Sequence, residues 1–464
     1  MADKFDITIF GGGPGGYVAA IRASQLGKKV ALVEKDKLGG LCLNWGCIPS
    51  KALIKSAEVY HLLQEADSFG LSAGSVAFDF KKVVKRSRDV AGKLNKGVEF
   101  LMKKNKVTVF NGTGTLQPGK KISVAQADGK TVEVESDIII VATGGTHRSI
   151  PGVEVDHEKV INSSDAMILK EVPKSMVIIG GGAIGVEFAY IYAAFGTEVT
   201  IVEMLPHILP MEDEEIARGL TSSYKKMGIK IETETRVDSV KKGADGVEVT
   251  ISKGGKSKTL SADVALVAVG FSGKTEGIGL ENVGIAVDRT FITTDEFGRT
   301  NVDGYYAIGD VTGPPLLAHV ASAEGIVAVE HIAGLNPAPV DYQNIPSCTY
   351  CHPQVASVGL TEKAAREAGH DVKIGRFPFR ALGKAIAVGD TDGFVKLVFD
   401  ARYGELLGAH ILGGDATDLI AELELGRTLE TTAHEIIKTV HAHPTLSEAI
   451  MEAAADAYGE AIHI

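Results

Sequence analysis

A chain of 464 residues is too long for a single hydrophobic core and should divide into about three or four domains. Its 45% hydrophobic content is ordinary for a globular protein, and a net charge of −11 with a pI near 5.7 excludes the clustered basic surface that a nucleic-acid partner needs. No apolar run reaches the length of a membrane span, and four cysteines in so long a chain fit a reducing, cytoplasmic setting where a disulfide is catalytic or transient.

MADKFDITIF reads as the start of a strand rather than as a signal peptide. FDITIFGGGPGGYVAAIRASQLGKKVALVE then reads as strand, glycine turn, helix and strand. Gly11, Gly13 and Gly16 make G-x-G-x-x-G, and Glu34 follows Gly11 by 23 residues. Glycines let the backbone approach a pyrophosphate at a helix N-terminus, where N–H groups point outward. The acid accepts hydrogen bonds from a ribose 2′-hydroxyl and repels a 2′-phosphate.

Residues 39–51, GGLCLNWGCIPSK, hold two of the four cysteines, Cys42 and Cys47, with Lys51 one helical turn beyond. In a regular helix residues five apart lie about 8 Å apart, past the ~7 Å limit for a disulfide. A bridge therefore needs an irregular turn, which Gly46 and Pro49 permit. Structural zinc wants four ligands, and no other Cys or His is near in sequence, so metal binding is the weaker reading. Buried inert thiols remain an alternative to a redox pair at this stage. A helical stretch near 50–105 and a hairpin-like segment near 107–136 follow. SDIIIVATGG (136–145) is a buried β-run ending in Thr143, Gly144 and Gly145, either a ligand-facing strand end or a tight turn.

SMVIIGGGAIGVEFAYIYAAFGTEVTIVE repeats the first unit, with Gly180, Gly182, Gly185 and, 23 residues after Gly180, Glu203. Two adenine dinucleotides follow, and Glu203 favours NAD over NADP at the second. YYAIGDVTG (305–313) is another strand end, with Gly309 and Asp310. SCTYCHPQVASVG places Cys348 and Cys351 as C-x-x-C, best read as core or edge-strand thiols. Beyond NPAPVDYQNIPS, β-runs alternate with helical ones as in a separate α+β domain. There VHAHPTLSEAI offers His441, His443 and Glu448. A carboxylate brought back onto an imidazole by the Pro444 turn would make a base and its orienter. His61, His147 and His207 lack any local partner pattern.

In combination these motifs resemble the flavin disulfide oxidoreductases of the pyridine nucleotide-disulfide family, and within them the dihydrolipoyl dehydrogenases, over essentially the whole chain. The resemblance implies an α/β fold of two Rossmann-like dinucleotide-binding domains plus a C-terminal α+β dimerisation domain. The expected divisions are an FAD-binding domain at 1–146, an NAD-binding domain at 147–271, a central domain at 272–342 completing the FAD site, and an interface domain at 343–464. It further implies a homodimer, no membrane or nucleic-acid partner, and oxidation of dihydrolipoamide carried by lipoyl-bearing proteins of 2-oxo acid dehydrogenase or glycine cleavage complexes.

Carried over by position, Cys47 is implied to contact the flavin and Cys42 to exchange with the substrate. Lys51 is implied near the flavin ring, paired with Glu187. Glu34, Gly114, Thr143, Gly144, Gly145, Asp310, Leu316, Leu317, Ala318 and His319 match FAD-contacting positions; Glu203, Val237 and Gly270 match positions on the NAD side. His443 is implied as base, serving the disulfide of the other subunit. The chain departs from the family at Phe271-Ser272-Gly273-Lys274, at Leu41 and at Cys348/Cys351. Glutathione-reductase-like or mercuric-reductase-like enzymes and a purely structural docking subunit are the rivals; Glu203, the cysteine-free C-terminus and the intact Cys42, Cys47, His443 and Glu448 speak against them.

Overall fold

A computed structural model describes residues 4–464. The chain forms two compact units. The first gathers the chain up to Leu53, Lys81–Arg148 and Gly270–Val340; the second gathers Ile54–Phe80, Ser149–Val269 and Asp341–Ile464.

In the first unit, β1 (Phe5–Phe10) leads through α1 (Pro14–Gln25) to β2 (Val30–Glu34). The short α2 (Gly40–Trp45), the first turns of α3 (Cys47–Gln64) up to Leu53, and α4 (Phe80–Lys104) from Lys81 on precede β3 (Thr108–Asn111). β4 (Thr113–Gln117), β5 (Lys121–Ala125) and β6 (Thr131–Val141) complete the run. β3, β2, β1, β6 and the strand Tyr305–Ala307 lie parallel in that order. Both faces are apolar: Ile7, Ile9, Leu32 and Ile140 fill one core, while Phe10, Val33, Ile139 and Val141 fill the other.

β6 changes character midway. Thr131–Glu135 alternates exposed and buried residues and pairs antiparallel with β5, whereas Ile138–Val141 is a continuous apolar run paired parallel with β1. One strand thereby carries the hairpin and the dinucleotide sheet together. On the sheet's first face α1 crosses the helix Ala318–Ile332 at close range. A Cβ on Gly15 would meet the Ala321 carbonyl oxygen at 2.9 Å, and one on Gly325 would meet that of Gly15 at 2.8 Å.

The second unit holds a five-stranded parallel sheet, with Ser175–Ile179 flanked by Glu198–Val202 and Val264–Val267. The helix Ala183–Ala194 follows Ser175–Ile179, as α1 follows β1 in the first unit. An antiparallel five-stranded sheet from Ser347 to Gly413 forms the rest, backed by the helices Ala416–Thr428, Ala433–Lys438 and Glu448–Asp456. Phe377, Phe379, Phe399, Ile411, Ile420 and Ala453 pack at its centre.

One strand of that sheet, Phe394–Asp400, buries a cation. Lys396 is 2% exposed, and its Nζ reaches Asp213 (2.9 Å), Glu215 (2.7 Å) and Glu362 (2.9 Å). Asp213 also caps the helix Glu214–Lys226, accepting from Glu215 N–H at 3.0 Å. Hydrogen bonds from Arg376, joined by Lys396 and opposed by burial, hold the Glu215 carboxyl down to about 2. Lys396→Met leaves the buried Asp213 without its cation while Glu215 and Glu362 keep Arg376, so it should cost about 3–5 kcal/mol and lower the melting temperature of the holoprotein. A depressed carboxylate stabilises the fold above its unfolded pKa. The Glu215 share should therefore be complete above about pH 4.5 and vanish as pH falls toward 2, a loss that acid titration of the Lys396→Met protein should show in attenuated form.

Candidate active site

The two glycine turns are built alike. Gly11 (φ +121°) and Gly180 (φ +110°) sit where a Cβ would strike the carbonyl oxygens of Ala142 (2.1 Å) and Ala268 (2.5 Å). A Cβ on Gly16 or Gly185 would lie 1.9 Å from the carbonyl oxygen of Gly11 or Gly180, so each helix packs directly on its turn. The middle glycines differ. Gly13 (φ −68°) and Gly182 (φ −74°) have ordinary extended backbone, and a Cβ on either meets no described atom within 4 Å. They cap the N-termini of two 12-residue helices, whose first N–H groups face that open space. Backbone donors beside a vacancy that a side chain would fill are what a pyrophosphate requires.

Glu34 and Glu203 are both buried at the ends of their strands. Glu34 accepts from Gly12 N–H at 2.8 Å and Asp36 N–H at 2.9 Å; Glu203 accepts from Gly181 N–H at 2.6 Å and Leu205 N–H at 2.8 Å. Each carboxylate thus holds its turn in shape. Two lone pairs per oxygen leave acceptor capacity for ribose hydroxyls.

The cysteine segment is a broken helix. α2 starts after Gly39 (φ +91°), and Gly46 (φ −149°, ψ −113°) interrupts it before α3 begins at Cys47. The break falls between the two thiols and brings them into side-chain hydrogen-bond contact. That contact pushes the Cys42 thiol well above its ordinary range; burial and charge on Cys47 add to it, and Lys51 opposes them. The pair thus gives up one proton far more readily than two.

Elsewhere in the first unit, Thr143 Oγ1 donates to the Lys274 carbonyl and Lys274 N–H to the Gly144 carbonyl, both at 2.9 Å. Phe271–Gly273 pairs antiparallel with Gly145–His147. The unusual segment at 271–274 therefore pins the Thr143–Gly145 strand end. Asp310 lies beside Gly145, its carboxyl pushed up by burial and by Glu324. Leu316 and Leu317 lead into the helix Ala318–Ile332, which opens with Ala318 and His319. A Cβ on Gly114 would sit 2.6 Å from the Phe10 ring, which gives this glycine a packing reason. Gly270 (φ +92°) accepts from Arg148 N–H at 3.1 Å.

In the second unit, Glu187 is buried and accepts from Tyr350 N–H at 3.0 Å. Val237 packs against the core of the parallel sheet. His443 Nδ1 lies 2.9 Å from Glu448 Oε1, and Glu448 Oε2 accepts from Thr445 N–H at 2.8 Å. The Pro444 turn does bring the acid onto the ring. His443 is exposed, whereas the His441 ring is held between Glu422 (2.8 Å) and the Thr439 carbonyl (3.0 Å). Two histidines equal in sequence therefore differ in place: one is committed to structure and one presents its free edge. Cys348 lies on an edge strand, and Cys351 is buried with its thiol toward the Pro353 carbonyl.

Sequence reasoning missed the supports of the cysteine segment. Arg86, Arg88 and Asn95, all on α4, bind the carbonyls of Ala52, Asn44 and Leu38. Their run in a basic amphipathic helix reads as a solvated face, and only tertiary contact separates them from their neighbours. Among the described residues, no group of three or more His, Cys, Asp or Glu side chains could hold a metal, and no helix is long and apolar enough to cross a membrane.

Residues 5–325 match the pyridine nucleotide-disulphide oxidoreductase family, and residues 345–454 match its dimerisation domain. A dihydrolipoyl dehydrogenase of Zymomonas mobilis is 51% identical over 100% of both chains, and one of Bacillus subtilis is 48% identical over 100% of both. Among solved structures, LpdA from Mycobacterium tuberculosis superposes with a TM-score of 0.91 at 30% identity, covering 97% of this chain and 98% of its own. The flavoprotein disulfide reductase RclA from Escherichia coli gives 0.88 at 26% identity, covering 98% and 99%. Matched along its length in motif, family and fold, this chain belongs to the pyridine nucleotide-disulphide oxidoreductases.

Proposed function

We propose that the chain is a dihydrolipoyl dehydrogenase, oxidising dihydrolipoamide on a lipoyl-bearing protein and reducing NAD⁺. The observation that carries this reading is the helix break at Gly46, which sets two thiols in contact one turn from Lys51. Full-length similarity to enzymes of that name supports it.

The open turn at Gly13, with Glu34, suits FAD; its counterpart at Gly182, with Glu203, suits NAD and disfavours NADP. A flavin held at the first turn would supply the two-electron relay between the thiols and the nicotinamide. The chain's own residues handle sulfur and protons. His443 removes a proton from the substrate dithiol, because only a thiolate attacks a disulfide. The substrate sulfur bonds to Cys42 and breaks the Cys42–Cys47 bond. The second substrate sulfur then displaces Cys42, and the product leaves as a cyclic disulfide. Two electrons now reside on the enzyme sulfurs: Cys47 keeps the negative charge, Cys42 keeps a proton, and the other proton is on His443. Glu448 orients the imidazole and stabilises its charged form. The dimerisation-domain match supports a homodimer, in which His443 of one copy serves the cysteine pair of the other.

Cys42→Ser and Cys47→Ser should each abolish oxidation of free dihydrolipoamide by NAD⁺ while the protein stays yellow; dithiol turnover by either variant would sink the reading. Glu448→Gln should lower kcat at least about tenfold in the same stopped-flow assay, within the range of a general base deprived of its orienter. Gly13 and Gly182 have backbone angles any residue adopts, so valine there fills the vacancy without strain. Gly182→Val should keep flavin and weaken NAD binding by more than about tenfold, equivalent to roughly 1.4 kcal/mol, whereas Gly13→Val should purify colourless.

A further inference from the structure

Trp45 is the single tryptophan of the chain and lies between the two cysteines, yet the sulfur chemistry above makes no use of it. Its indole N–H donates to Asp36 Oδ2 at 3.1 Å. The Arg88 guanidinium covers its ring, 4.4 Å from the centroid, and donates to the Asn44 carbonyl at 2.5 Å. From the same helix, Arg86 donates to the Ala52 carbonyl at 2.7 Å and Asn95 to the Leu38 carbonyl at 2.6 Å. Asn44 Nδ2 closes the frame on the carbonyls of Leu38 and Gly40, each at 3.0 Å. These carbonyls bracket the cysteines before, between and after.

A glycine permits a helix break but does not enforce one. With the disulfide open, α2 could run on into α3 as regular helix, which would separate the two Cα atoms to about 8 Å. The Asn44 carbonyl is the acceptor that an uninterrupted helix would offer to the N–H of Ile48. Arg88 engages that carbonyl, and the stacked Trp45 ring, tethered to Asp36, holds the end of α2 against α4. We propose that Arg88 and Trp45 are positioning residues that keep Cys42 and Cys47 at bridging distance in the dithiol state and thereby set the disulfide–dithiol equilibrium. The proposal rests on the reading of this pair as the redox disulfide. Its direction follows from proximity: a held pair has a high effective concentration of one thiol for the other, which favours the closed bridge.

The test is equilibration of the holoenzyme with dithiothreitol buffers, reading the open pair by mass after thiol labelling. Arg88→Met should shift the equilibrium about tenfold toward dithiol, about 30 mV for a two-electron couple. Flavin content and reduction of a quinone by NADH, which bypasses the thiols, should stay at the wild-type level, a separation that general loosening of the fold would not give. Arg88→Lys, which keeps a cation over the ring, should recover most of the shift. Should Arg88→Met lose its flavin, Trp45→Leu decides: the same direction of shift is expected. An equilibrium within about twofold of wild type in the flavin-bearing variant overturns the proposal. If Cys42→Ser retains dithiol turnover, the reading of the pair itself has failed; if Cys42→Ser is dead while Arg88→Met titrates like wild type, only the positioning role falls.

Discussion

Each dinucleotide unit depends on a buried carboxylate bonded to its own glycine turn. A glycine turn without side chains has little to hold it, and glycine loses more freedom on ordering than any other residue. Glu34 and Glu203 offset that cost by each accepting one backbone N–H from the glycine turn, Gly12 or Gly181, and one from just beyond the strand end, Asp36 or Leu205. The helix beyond is then fixed over the sheet, since Gly16 and Gly185 leave no room for any other approach. What remains open is the space above Gly13 and Gly182. Each carboxylate is a structural clasp and, under the proposed function, would also select the cofactor.

The cysteine segment shows the opposite strategy. The turns are shaped from within, by a carboxylate 22 residues on in the same strand–helix–strand unit, whereas the broken helix at Gly46 is shaped from outside by α4. If the pair cycles as proposed, it must tolerate two covalent states with one backbone. External support suits that demand, because it acts on carbonyls that neither state alters.

Legibility in the sequence followed the same division. The glycine spacing, Glu34, Glu203 and the His443–Glu448 pair could be read because each is a local backbone or short-range demand. The supports on α4 could not, being 34 to 57 residues from the carbonyls they bind. Lys396 was hidden for a further reason. It stands in the apolar run FVKLVFD, where a lysine suggests an outward face, and its partner Asp213 lies 183 residues away. The parallel sheets were legible as apolar runs; the midway change in β6 was not, since pairing partners on both sides determine it.

The cluster around Lys396 also constrains how this chain can diverge. Its members come from four distant stretches, at 213–215, 362, 376 and 396. An all-apolar replacement of such a group is often as stable as the original, but a step that removes Lys396 or Asp213, its two deeply buried members, leaves a buried partner short of its counter-charge. Drift cannot cross that valley one codon at a time. Descendants of this sequence should therefore retain the whole ionic knot or exchange it in concert, which turns an ordinary packing detail into an inherited lock.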